Sequence, residues 1–430
     1  MKISIQGIGA IKAAKIECNS VTIITGKNGS GKSTFGKAVF SLVSGIQNSI
    51  RYYDYNFIRH VQTALKEELR IPYSNFSLAA YIGGANRFTS LLRKAPLKNK
   101  SVEAYFEDLI KAAEGIDIAS PYMTAKDNSF SNSGEDFQSY LAHRLSSFEA
   151  EYYDEAYRLK QLERCVKNEF NEVFIGQVTT NHLKDIESLV SLESEFIRLS
   201  FSYSNSRLDF SDGDLRNVYE TYFISDGNVL DELDAEKSIA SRASSKETIT
   251  TRPNDHLKDF VRKQPYNPKQ ELAEAFEIIN RVYPYDIYIR NGRTFTSNNG
   301  IAISNEASGR KIFALLKYML LNGAINKQSI LVFDEPENHL HPEWQLLFCK
   351  LIKLISERTG AKMICITHSP TLLFAMDVLY RERRENLTVY YAQLNDGYSV
   401  FEDCSSDISK AHKALSDPFI KLDLLGDQAI

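Results

Sequence analysis

Apolar positions along the chain fall into two textures. Near the N-terminus Ile3 and Ile5 alternate with polar neighbours, the period of a strand. Val21-Thr22-Ile23-Ile24-Thr25 is a β-branched run that stops at Gly26, the pattern of a buried strand. A glycine-rich turn follows. From Ser33 to about Ser44 a helix is predicted, with Phe35, Val39, Leu42 and Val43 on one face. Strand texture returns at 196–201, 207–210 and 218–224, and a hairpin fits 286–304, with Asn291-Gly292 and Asn299-Gly300 as turn signals. The remainder alternates helix and strand: 309–322, 330–333, 342–358, 362–367, 371–380 and 387–394. That alternation is the layout of an α/β sheet.

The second texture is helical. Between residues 48 and 173 glycine is confined to a few breaks, notably Gly83-Gly84, Gly115 and Gly134, and 125–135 reads as a loop. After it apolar residues recur from Phe137 through Leu141, Leu145, Phe148 and Tyr152 to Phe170 and Val173, at a mean spacing of about 3.6, the period of a straight helix packed on a body. A continuous helix of that length would measure ~50–60 Å. It serves either as the core of a helical subdomain or as an arm that meets a partner. Residues 235–281 are again polar and helical, broken at Pro253, Pro265 and Pro268.

Composition narrows the class. The 430 residues are 43% hydrophobic and 25% charged, an ordinary globular mix sufficient for two or three domains, or for one domain with a large insertion. A net charge of −4 excludes coating of nucleic acid by bulk positive charge. No apolar run approaches the ~18–20 residues that span a bilayer, and no secretory leader is visible. The five cysteines form no CxxC pair, so neither a zinc nor a disulfide framework is expected. A cytoplasmic protein without a membrane partner is the expectation.

The chemistry concentrates in three places. Gly26-Lys27-Asn28-Gly29-Ser30-Gly31-Lys32-Ser33-Thr34 fits GxxxxGK[ST] between a predicted strand and a predicted helix. Its backbone N–H groups and the helix N-terminus suit phosphates, Lys32 would reach the β- and γ-phosphates of ATP, and the Ser33 hydroxyl would ligate Mg²⁺. The strand at 330–333 ends in Asp334 and Glu335. Asp334 suits the Mg²⁺ shell and Glu335 suits a base that orients the attacking water. His368 follows the strand at 362–367, at the edge where α/β sheets hold ligands, and is read as a γ-phosphate contact.

The order of phosphate loop, DEP and a later THS resembles the ABC/SMC-type ATPases. Asp334-Glu335-Pro336-Glu337-Asn338-His339-Leu340-His341-Pro342 resembles the branch that holds RecF-like proteins, the overcoming-lysogenization-defect (OLD) proteins and the ATPases of anti-phage systems such as Septu and PARIS. The resemblance implies an α/β fold: an ABC/SMC-type P-loop ATPase head with a β-lobe, split by mainly α-helical insertions. Implied boundaries are 1–48 and 284–430 for the two parts of the head, 49–173 and 231–283 for helical segments, and 174–230 for the β-lobe and Q-loop region. It also implies that nucleotide draws two heads together and that the signature of one completes the site of the other. The matching signature is Glu306-Ala307-Ser308-Gly309-Arg310-Lys311, with Ser308 and Gly309 in the places of two glycines and Ala307 in that of the serine. An ordinary serine N-cap is the other reading of that stretch. His341 stands where transporter heads carry an aspartate, and His339 and His341 are read as dimer-interface residues. Gln177 is the candidate Q-loop glutamine.

The 62 residues after His368 leave no room for the Toprim domain of full-length OLD nucleases. The expectation is therefore an ATP-hydrolysing subunit of an anti-phage defence complex, at least dimeric through its heads, whose nucleotide state controls a partner effector such as a nuclease or toxin. A RecF-like repair ATPase and a nucleotide-gated scaffold with little turnover are the alternatives. DNA is a further candidate partner through Arg93-Lys94, Lys98 and Lys100. Arg381-Glu382-Arg383-Arg384-Glu385 is mixed in sign and reads as a solvated helix end.

Overall fold

Five parallel strands form the part of the sheet that carries the site. In the computed structural model they are β3 (Val21–Gly26), β7 (Glu220–Ile224), β10 (Ser329–Asp334), β11 (Lys362–Thr367) and β12 (Leu387–Asn395), numbered with β1 (Lys2–Ile8), β2 (Ile11–Glu17), β4 (Leu189–Glu193), β5 (Ile197–Ser202), β6 (Arg207–Gly213), β8 (Ile287–Arg290), β9 (Thr294–Ser297) and β13 (Tyr398–Asp403). The structure describes residues 1–68, 88, 90–92, 100–114, 137–180, 183, 185–213, 218–225, 230, 270–290, 294–297 and 300–417. The features expected at Gly83-Gly84, Gly115, 125–135, Pro253, Pro265, Pro268, Asn291-Gly292, Asn299 and most of the basic cluster at 93–100 lie outside them.

Among the described residues eleven strands join one sheet in the order β6-β5-β4-β1-β2-β13-β12-β3-β11-β10-β7. From β12 to β7 every pairing is parallel. From β6 to β2 every pairing is antiparallel. β13 joins the two halves, antiparallel to β12 and parallel to β2. The parallel strands are buried on both faces, which is why they read as unbroken apolar runs. One face, with Ile23, Leu331, Phe333, Met363 and Cys365, shares a core with α6 (Ala273–Val282), α7 (Ser308–Leu321), α8 (Pro342–Thr359) and α9 (Pro370–Leu379). The other takes α1 (Lys32–Arg51), where Phe40 meets Phe223 edge-on at 6.0 Å.

A second compact unit spans Asn48–Leu162. Its helices are α2 (Tyr53–Glu68), α3 (Val102–Ala113), α4 (Phe137–Tyr153) and the start of α5 (Glu155–Val173). Phe57, Val61, Leu65, Tyr105, Leu109, Leu141, Leu145 and Phe148 build its core. The Arg158 guanidinium lies over the rings of Tyr53 and Tyr152, 5.3 and 5.4 Å from their centres.

Four expectations are corrected here. The periodic run from Phe137 to Val173 is two helices, broken at Asp154, whose carboxylate accepts from the Ala156 N–H at 3.1 Å as an N-cap would. The insertion ends at Leu162 instead of residue 173. From Glu163 onward α5 belongs to the head: Glu163 accepts from the Leu208 N–H at 2.9 Å, Phe170 stacks on Phe201 at 5.7 Å, and a Cβ on Gly45 would fall 2.6 Å from the Val166 Cα. β7, grouped by sequence with the lobe strands β5 and β6, instead pairs with β10 at the opposite edge of the sheet. α1 also runs seven residues beyond the predicted Ser44.

Candidate nucleotide site

β3, β11 and β10 are neighbours, and all three end at the same edge. Beyond them the chain continues as the phosphate loop, as His368 and as Glu335. Their side chains line one cavity of about 550 Å³, with Ala10, Asn28, Gly29, Ser30, Gly31, Lys32, Ser33 and Thr34. α1 begins at Lys32, so its unpaired N–H groups and the positive end of its dipole face the cavity. Gly26 is required by space as well as by its φ of 149°, because a Cβ there would fall 2.0 Å from the Ala392 carbonyl oxygen of β12.

Lys32 is buried, and its ammonium donates to the Lys27 carbonyl at 2.8 Å and approaches Ser30 Oγ at 3.4 Å. Burial brings its pKa down to about 8, against the opposing pull of Glu335 and Asp334. Ser33 Oγ donates to Asp334 Oδ1 at 2.8 Å. Hydroxyl and carboxylate oxygens so placed are the hard donors a magnesium ion takes, so these two residues fit that ion. Burial raises the Asp334 pKa, and the Ser33 hydrogen bond offsets part of that rise.

Glu335 has a φ of 54°, in the left-handed region that costs an L-residue with a Cβ about 1–2 kcal/mol. Its N–H donates to the Ile366 carbonyl at 2.8 Å, which pins the turn to β11. Glu335 Oε1 lies 3.4 Å from His368 Nε2, and Oε2 accepts from Asn338 Nδ2 at 3.0 Å. Burial and then Lys32 lower the His368 pKa, which favours the neutral imidazole at pH 7.

The other expected residues lie elsewhere. Ser308 and Gly309 begin α7 outside the cavity, and the N-cap is Ala307 without a side-chain cap bond, so the serine-cap reading of Ser308 does not hold. Gly309 is buried against the turn after Glu335: a Cβ on it would fall 2.5 Å from the His339 carbonyl oxygen. His341 caps α8 by accepting from the Glu343 N–H at 3.4 Å. Gln177 is exposed and does not line the cavity; one residue later the Val178 carbonyl accepts from the Gly9 N–H at 2.7 Å. Sequence reasoning missed Ala10, which lines the cavity from the turn between β1 and β2. It also left Glu337 and Asn338 without roles, although both stand inside the DEPENHLHP segment.

Residues 1–373 match the family model described as AAA ATPase domain. The chain belongs to the AAA ATPase domain family. The resemblance read from the phosphate loop and DEPENHLHP agrees with that membership. This AAA ATPase is 23% identical over 447 residues to Endonuclease GajA from Bacillus cereus (strain HuB5-5), covering 93% of this chain and 59% of that protein. Among solved structures it is similar to an SMC head domain from Thermotoga maritima, at 11% identity and a TM-score of 0.36 over 94% of this chain and 97% of that one. It is also similar to an Smc head domain with an extended coiled coil bound to the C-terminal domain of ScpA, from Pyrococcus furiosus, at 12% identity and a TM-score of 0.37 over 97% and 98%. These structural likenesses are loose, and the fold of this AAA ATPase is read from its strand order and family match. Among the described residues no helix is long and apolar enough to cross a membrane.

Proposed function

We propose that this AAA ATPase hydrolyses ATP in the cavity above β3, β10 and β11. The observation that carries the reading is the convergence there of Lys32, the Ser33–Asp334 pair at 2.8 Å and the Glu335–His368 pair at 3.4 Å. Lys32 and the N–H groups of the loop hold the phosphates. Ser33 and Asp334 would hold Mg²⁺, which would supply neutralisation of phosphate charge. Glu335 accepts a proton from the attacking water, and neutral His368 donates a hydrogen bond to the γ-phosphate. Ser308 and Gly309, outside their own cavity, serve the site of a second head, so that nucleotide joins two copies. Gln177 is retained as a residue that nucleotide would draw in.

In the cell the chain acts as the ATPase subunit of an anti-phage defence complex, in which nucleotide state controls an effector. The similarity to an endonuclease supports a nuclease effector, and the chain spans 59% of that relative's length. Glu335→Gln is the test. Phosphate release should vanish, and the variant with ATP and Mg²⁺ should elute as a dimer that wild type with ADP does not form. A wild type that releases no phosphate, with or without the protein encoded beside it, overturns the reading in favour of a static scaffold. ATP-dependent binding to duplex ends at low salt, with no effect on phage, would favour the RecF-like alternative.

A further inference from the structure

Glu337 lies two residues beyond Glu335, outside the nucleotide cavity, yet it is the most heavily engaged carboxylate of the segment. Its Oε1 accepts from the Thr367 hydroxyl at 2.7 Å, from the His368 N–H at 2.7 Å and from the Ser369 N–H at 3.1 Å. Its Oε2 is buried without a partner. One oxygen thus gathers three donors from the three consecutive residues that carry the imidazole.

A plain helix cap does not account for this arrangement. α9 already has its cap, since Ser369 Oγ accepts from the Leu372 N–H at 3.1 Å and Pro370 brings no N–H of its own. Glu337 instead grips the link between β11 and that cap. At its other end Glu337 belongs to the turn of Glu335: the Asn338 N–H donates to the Glu335 carbonyl at 3.1 Å and the Leu340 N–H to the Glu337 carbonyl at 3.0 Å. Glu335 is tied to the end of β11 by its own N–H, and Glu337 ties the next three residues of that strand end to the same turn. Base and histidine come from different strands, and these two ties span the gap between them.

We propose that Glu337 is a positioning residue that sets the spacing of Glu335 and His368, acting on turnover through the histidine. The proposal rests on the ATPase reading above. With Glu337→Ala, the His368 N–H loses its acceptor, the Ser369 N–H keeps only Thr367 Oγ1 at 2.9 Å, and the link shifts to pair the freed N–H. With Glu337→Gln, the amide oxygen can still accept from all three donors.

The experiment is a double-mutant cycle. Glu337→Ala, Glu337→Gln and Thr367→Val are each combined with His368→Ala, and kcat, KM for ATP and ADP affinity are measured. Glu337→Ala should lower kcat about tenfold or more, with ADP affinity changed less than about threefold, because a misplaced group near the chemistry costs rate before binding. Glu337→Gln should recover most of the loss. In the His368→Ala background the further loss should be under about twofold, the sign of two residues acting as a unit. Equal losses in both backgrounds, a parallel fall in ADP affinity or an unaffected kcat overturns the proposal. If Glu337→Ala does not fold, Thr367→Val carries the same comparison with one donor to Glu337 and one acceptor of the Ser369 N–H removed. If wild type releases no phosphate, the ATPase reading fails, and the positioning is then read from the His368 ring resonance in ¹³C–¹H spectra of the nucleotide-free protein. A resonance displaced by Thr367→Val and kept in place by Glu337→Gln supports it, and one unchanged by Thr367→Val overturns it.

Discussion

Lys32 offers a prediction whose size follows from the structure. Its pKa of about 8 places the loss of its proton inside an accessible pH range. The shift is downward and its main cause is burial, so the charged form is complete well below pH 8 and fades above it. About nine in ten Lys32 side chains carry the proton at pH 7 and about one in ten at pH 9. If the ammonium form is the one that binds phosphate, ADP affinity falls about tenfold over that interval, or about 1.4 kcal/mol. A lysine at its ordinary value of about 10.4 would leave affinity nearly flat. Linkage adds a second signature, because ADP binding at pH 8 should take up about half a proton per site. Titration calorimetry of ADP with Mg²⁺, in two buffers of different ionisation enthalpy, reads both quantities. Lys32→Arg is the control, since a guanidinium keeps its charge throughout. A wild-type affinity that stays level from pH 7 to pH 9, with no proton uptake, refutes the assignment of Lys32 as the phosphate-binding charge.

Other expectations test different parts of the molecule. Gly309→Ala brings a Cβ within 2.5 Å of the His339 carbonyl oxygen. ATP turnover should fall about tenfold while ADP binding by a single copy is kept, and equal losses of both would place Gly309 in its own site. Asn338→Ala frees Glu335 Oε2 from its 3.0 Å hydrogen bond; kcat should drop by up to about tenfold at nearly constant KM in steady-state assays. Phe333→Ala opens a void in the fully buried β10, where the ring meets Phe348 edge-on at 5.2 Å, and urea unfolding should report a loss of about 3–5 kcal/mol.

The parallel half of the sheet was legible because burial on both faces leaves an apolar run that ends at a functional turn. Val21–Gly26, Ser329–Asp334 and Lys362–Thr367 all have that form. The lobe was less legible. β4 and β13 are short strands of mixed burial that each pair with a sequence neighbour on one side, β5 and β12, and with β1 and β2 far along the chain on the other, so only half of their pairing is local. The break in the long helix left a trace that periodicity alone could not use. Asp154-Glu155 is an N-cap followed by an acid in the first turn, while the apolar stripe runs through the break without losing phase. In the site, the groups that touch nucleotide in this reading follow from motif chemistry. Glu337 and Asn338 do not, because their roles depend on which strand end the turn faces, and that is a property of the sheet order.

The close passage of Gly45 and Val166 bears on the history of the chain. α1 leaves the head and α5 returns to it at nearly the same point, so everything from Asn48 to Leu162 is an excursion whose two ends almost touch. An excursion of that kind can be lengthened, replaced or removed while the strand order of the head is kept, because closing a loop depends only weakly on its length. On this geometry the helical unit should be removable without loss of the head. A short bridge across Gly45 and Val166 should suffice to fold the head without it.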